Sequence, residues 1–103
     1  MDEFVSLLID IFGAENVEEI KPNALEQTIP DMLSSDYKRR FKAEYRQLLI
    51  RYQRLCSHIR KIESGKAKHD CSLDMLKQQR VIMRNYLDLL IQRSGIEGVD
   101  LVG

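Results

Sequence analysis

Residues 36–63, DYKRRFKAEYRQLLIRYQRLCSHIRKIE, decide the fold. Tyr37, Phe41, Tyr45, Leu48, Tyr52, Leu55, Ile59 and Ile62 recur there at steps of 4, 4, 3, 4, 3, 4 and 3. That alternation lays apolar side chains along one face of a helix as a coiled-coil-like seam. A strand needs a step of two. Leu49 and Cys56 widen the stripe on one side. Ser34 and Ser35 are residues that cap a helix start, and Gly65 is one that ends it. About 28 residues rising 1.5 Å each predict a rod of roughly 42 Å.

C-terminal to this rod, KAKHD reads as a short polar loop, after which Cys71 or Ser72 starts a second helix reaching about Ser94 and closed by Gly95. Leu73, Leu76, Met83, Tyr86, Leu87 and Leu90 make its main face, with Met75, Val81, Ile82, Leu89 and Ile91 spreading apolar surface around it. Two long helices joined by so short a loop fold back as an antiparallel hairpin. Its seam, which a second copy can also use, is read as Tyr37, Phe41, Tyr45, Leu48, Tyr52, Leu55 and Ile59 against Met83, Tyr86 and Leu90.

N-terminal to the rod, Asp2 to Phe12 predicts a short amphipathic helix ending at Gly13. The following stretch, interrupted by Pro22 and Pro30, reads as a connector with one or two helical turns. The expectation is one all-α domain over 1–103, made of an acidic helix and connector (1–34), a hairpin (35–95) and a tail (96–103) that lies along the hairpin or stays mobile. Two helices burying one stripe each give a marginal core, so the N-terminal helix, a second copy or a partner must cover the rest. A homo-oligomer is therefore expected.

The net charge is zero, but residues 1–36 carry nine acids against the single base Lys21, a balance of −8, so the remainder carries +8. Such a split points to an anionic partner, or to one part neutralising the other and masking the basic helix. Arg39, Arg46, Arg54 and Lys61 fall on the back of the long helix within a sector of roughly 80°, a stripe suited to phosphates or an acidic protein surface. The overall charge balance and the lack of a helix-turn-helix spacing argue against sequence-specific DNA binding. No apolar run approaches the roughly 18 residues of a membrane span, and the acidic start is unlike a signal peptide. A cytoplasmic protein with no membrane association is expected.

Both cysteines and both histidines lie within residues 56–71, CSHIRKIESGKAKHDC. Cys56 and His58 are two apart, which on a helix points them some 200° away from each other, whereas zinc needs converging ligands. Cys56 is read as a buried thiol, and neither a metal nor another cofactor is expected. Phosphate-loop, nucleophile-elbow and HExxH signatures are missing, so no catalytic residue is assigned and no enzyme is expected.

The run SSDYKRRFKAEYRQLLIRYQRL, with the later CSLDMLKQQRVIMRNYLDLLIQRSGIEGVDL, resembles small helical proteins of phages and prophages related to a crAss-like phage orphan gene product. The resemblance covers residues 36–101, with Ser72 where that family commonly has proline. It implies a phage or mobile-element origin and a non-enzymatic hairpin. In architecture alone, such hairpins are similar to phage proteins that sequester cyclic nucleotide signals of bacterial immunity. The expected function is stoichiometric counter-defence in the bacterial host cytoplasm, by capture of a signalling nucleotide or block of a host defence protein such as a CRISPR effector. The alternative is a structural or assembly hairpin of a phage with no ligand.

Overall fold

A computed structural model describes residues 3–16 and 24–102, and side chains throughout these except at 3–6, 8 and 9. The elements are α1 (Glu3–Asn16), a 3-10 turn (Glu26–Thr28), a one-turn α2 (Ile29–Met32), α3 (Tyr37–Glu63) and α4 (Leu73–Glu97). No strand occurs among the described residues. α3 and α4 pack as the expected hairpin, and α1 and α2 lie against α3. The molecule measures 43 × 25 × 23 Å, matching in length the rod predicted from residues 36–63.

α3 starts one residue later than its serines suggest. Asp36 is the cap, accepting from the Lys38 N–H at 2.9 Å, while Ser34 Oγ accepts from the Asp36 N–H at 3.0 Å. A carboxylate there also meets the positive end of the helix dipole. At the other end Gly65 takes φ +76°, a left-handed geometry that disfavours a Cβ. Its N–H donates to Ile62 O at 3.0 Å and the Lys66 N–H donates to Lys61 O at 2.8 Å, the bond pair of a Schellman closure. Ser72 caps α4, accepting from the Met75 N–H at 3.2 Å.

Two glycines expected to end helices do not. α1 runs through Gly13 to Asn16, and α4 runs through Gly95 to Glu97. Glycine permits a helix end without imposing one, and packing chooses among the candidates. Gly98 is the residue that turns left-handed, at φ +70°, and the Val99 N–H donates back to Ser94 O at 2.9 Å. This later exit aims the tail at the core: Val99 and Leu101 are buried. Lys38 Nζ donates to Gly98 O at 3.2 Å, tying the turn to the start of α3.

The core gathers Leu7, Ile11 and Ala14 of α1, Phe41, Tyr45, Leu48, Tyr52 and Cys56 of α3, Leu87, Leu90 and Ile91 of α4, and the two tail residues. Among the seam residues read from sequence, Phe41, Tyr45, Leu48, Tyr52, Ile59 and Leu90 are buried. Leu55 and Met83 are half-buried, while Tyr37 and Tyr86 are exposed. The Tyr86 hydroxyl reaches across the hairpin to donate to Glu44, so that ring spans the rim of the packing.

Two buried tyrosines differ in how their hydroxyls are served. Tyr52 donates to Glu15 Oε1 at 2.8 Å, whereas the buried Tyr45 hydroxyl has no hydrogen-bond partner among the described residues. A buried donor without an acceptor costs about 1–3 kcal/mol. Tyr45→Phe should therefore leave stability unchanged or raise it by about 1 kcal/mol, and Tyr52→Phe should lower it by about 1 kcal/mol. Urea midpoints of the two variants check the opposite signs.

Candidate functional site

The bend of the hairpin concentrates hydrogen-bond donors. Ser57, Arg60, Lys61 and Ser64 follow one another at i, i+3, i+4 and i+7 on α3 and so share a face. The Schellman turn at Gly65 then folds Lys66 back beside them. Among the described residues these five line a cavity of about 260 Å³, and none of the five carries a carboxylate. Ser57 is nearly fully buried and forms its floor, while Lys61 and Lys66 stand exposed at its mouth.

A helix C-terminus ordinarily repels anions, because its last carbonyls carry partial negative charge. Here three of those carbonyls are engaged. Arg60 O accepts from the Ser64 N–H at 3.0 Å and Ile62 O from Gly65. Lys61 O accepts from the Lys66 N–H and, at 3.1 Å, from Ser64 Oγ. Three cationic side chains surround this turn, which favours an anion.

Arg60 forms a wall between this cavity and a second one of about 320 Å³, lined also by Glu15, Tyr52, Cys56 and Arg80. Its guanidinium donates to Glu15 O, which fastens the end of α1 to α3. The Glu15 carboxylate lies 3.5 Å from Arg84 Nε as well as accepting from Tyr52. The acidic N-terminal segment thus meets bases of both long helices at Glu15. Four of its acids and bases, Glu18, Glu19, Lys21 and Asp2, lie outside the described residues, and the masking expectation falls partly on them. Burial pushes the Cys56 thiol up from its ordinary value, which favours the unreactive protonated form.

The basic stripe read from sequence is distributed along α3. Arg39 is exposed near its start, Arg46 lines a separate groove with Asp31 and Lys42, and Arg54 is half-buried midway. Only Lys61 joins the bend cavity. From residue 39 to residue 61 a helix advances roughly 33 Å, beyond the span of one small ligand. Arg60, Lys66, Ser57, Ser64 and Arg80 were missed as site residues. The first four carried a signal in the S-x-x-R-K-x-x-S-G-K spacing; Arg80 comes from α4 and carried none.

Cys56 and His58 stay apart, Cys56 buried against Tyr52 and His58 half-buried. His69 sits with its Nδ1 against Cys71 O in the loop. No three His, Cys, Asp or Glu side chains converge in a metal-holding group among the described residues. No described helix is long and apolar enough to cross a membrane.

A family model described as Sequestin matches residues 35–96, the span of the hairpin. No curated protein and no solved structure matches the chain.

Proposed function

The chain belongs to the Sequestin family, and from that membership we propose that it is a non-catalytic binding protein that sequesters a phosphate-bearing signalling nucleotide of bacterial immunity. The observation that carries the reading is the donor-lined cavity at the hairpin bend, formed among the described residues by Ser57, Arg60, Lys61, Ser64 and Lys66. Arginine offers a planar fork for phosphate oxygens, lysine a mobile point charge and serine short neutral donors. That donor set is suited to holding an anion in place, which supports binding as its chemistry.

The family description, with its sense of sequestering, supports binding in general. The resemblance of residues 36–101 to phage and prophage hairpins supports a mobile-element origin, action in the host cytoplasm and a counter-defence role. The charge of the cavity supports an anionic ligand.

Thermal unfolding across a panel of cyclic di- and trinucleotides tests the reading. A ligand that binds only the folded state stabilises it by about 2.7 kcal/mol at a hundred times its dissociation constant, and a clear rise in Tm is expected for at least one member. Lys61→Glu with Lys66→Glu, both at exposed positions, should weaken that ligand by about tenfold or more while leaving the unliganded Tm within a degree or two, because exposed charges contribute little to folding. No shift with any nucleotide, or an equal shift in the double variant, rejects the proposal.

A further inference from the structure

α4 divides its surface with unusual regularity. Written as heptads with Met75, Ile82, Leu89 and Ile96 at position a, the helix has Gln78, Asn85 and Gln92 at d. Every residue at a, d and e is exposed, and every helix residue at b, c and f is buried or half-buried against the rest of the molecule. The inner face holds Leu87, Leu90, Ile91 and Ser94. The outer face is a second seam, with its four a residues between 58% and 86% exposed and no charge at a or d. Solvent alone gives no reason for large apolar residues at every seventh position.

We propose that a second copy of the chain covers this face, the two α4 helices lying side by side in parallel as a two-stranded coiled coil. The composition of the seam selects both the occupant and its direction. In a parallel pair, a meets a and d meets d, so Ile82 faces Ile82, Leu89 faces Leu89, and each amide faces the same amide of the other copy. An amide both donates and accepts, so it is complementary to itself. An antiparallel pair sets a against d and buries each amide against Met75, Ile82 or Leu89, leaving its hydrogen bonds unmade.

The flanks agree. In the parallel register position g faces the other copy's e five residues on. Asp88 then faces Arg93, Val81 faces Tyr86, and Asp74 faces Gln79, so charge meets opposite charge and apolar meets apolar. The antiparallel register instead brings Asp74 towards Asp88. Exposed Val81 and Tyr86 widen the apolar seam on its two sides. Both bend cavities then lie at the same end of the dimer, because each bend precedes the start of α4.

Sedimentation equilibrium over a range of protein concentrations tests the assembly. The full chain should have twice its 12.1 kDa mass, and Ile82→Glu with Leu89→Glu should raise the dimer dissociation constant by at least about 100-fold, since each buries an unpaired charge. Both residues are exposed in the single chain, so circular dichroism of the variant should match the parent. Gln92→Cys in a Cys71→Ser background reads the direction: parallel pairing sets the two introduced thiols side by side and mild oxidation should link the copies, whereas antiparallel pairing sets them about 25 Å apart along the axis. A parent that stays monomeric at about 0.1 mM, a double variant that dimerises like the parent, or a Gln92→Cys chain that fails to cross-link while dimeric each overturns the proposal. Monomer would mean that this face serves another partner.

Discussion

Leu87→Ala should remove about 3–5 kcal/mol of folding stability, a large share of the roughly 5–15 kcal/mol that holds a domain together. Leu87 is fully buried where α4 meets the core residues of α3 and the tail. Its truncation loses the transfer free energy of the removed carbons and leaves a cavity that close-packed neighbours fill only in part. Leu33→Ala is the internal control. That leucine is 78% exposed, so the same chemical change should shift stability by no more than about 0.5 kcal/mol. Equal urea midpoints for the two variants would contradict the placement of the core.

Alkaline pH should unfold the protein far more steeply than exposed tyrosines would. Burial is the main cause that pushes Tyr45 up to about 12 from its ordinary 10.0, with the Asp10 carboxylate adding to it. Burial and then the hydrogen bond to Glu15 push Tyr52 up further still. Both groups are neutral in the folded state at a pH where the unfolded chain ionises. Their stabilisation is therefore complete below about pH 10 and is lost as pH rises through 10 towards the folded values. Both phenols add to the decline over the same pH range, so stability falls more steeply there than one group alone would make it. Urea midpoints from pH 8 to pH 12 measure the slope. In the Tyr45→Phe, Tyr52→Phe double variant it should flatten markedly, and a parent curve as flat as the variant's would show that neither phenol is shielded.

The legible part of this molecule was whatever periodicity or turn chemistry could state locally. α3 was readable because its charged and apolar residues segregate at helical spacing, and Gly65 because it follows the last seam residue into a polar run. α4 was readable as a helix but ambiguous as to face. It is apolar on two sides, and only contact with α3 and the tail separates the core set Leu87, Leu90 and Ile91 from the exposed heptad Met75, Ile82, Leu89 and Ile96. Gly13, Gly95 and Gly98 look alike in sequence, and the burial of Val99 and Leu101 singles out the last.

The candidate site was half legible for the same reason. Angular position on α3 grouped Arg39, Arg46, Arg54 and Lys61, but a shared angle ignores axial distance, and one ligand feels distance. What gathers the donors is the turn, which returns Lys66 to the face of Ser57, Arg60 and Lys61. Arg80 reaches Arg60 only through the crossing of the hairpin, a tertiary event that no local pattern records.

The clasp between Lys38 and Gly98 sets the order of events in time. At the bend, Lys77 and Glu63 pair at 3.4 Å across a short loop, whereas Lys38 and Gly98 are 60 residues apart. Loop-closure entropy favours the short connection first, so the hairpin zips from its bend and the tail locks last. Opening runs the other way. A weakened clasp should then speed unfolding modestly while leaving folding from the bend almost as fast.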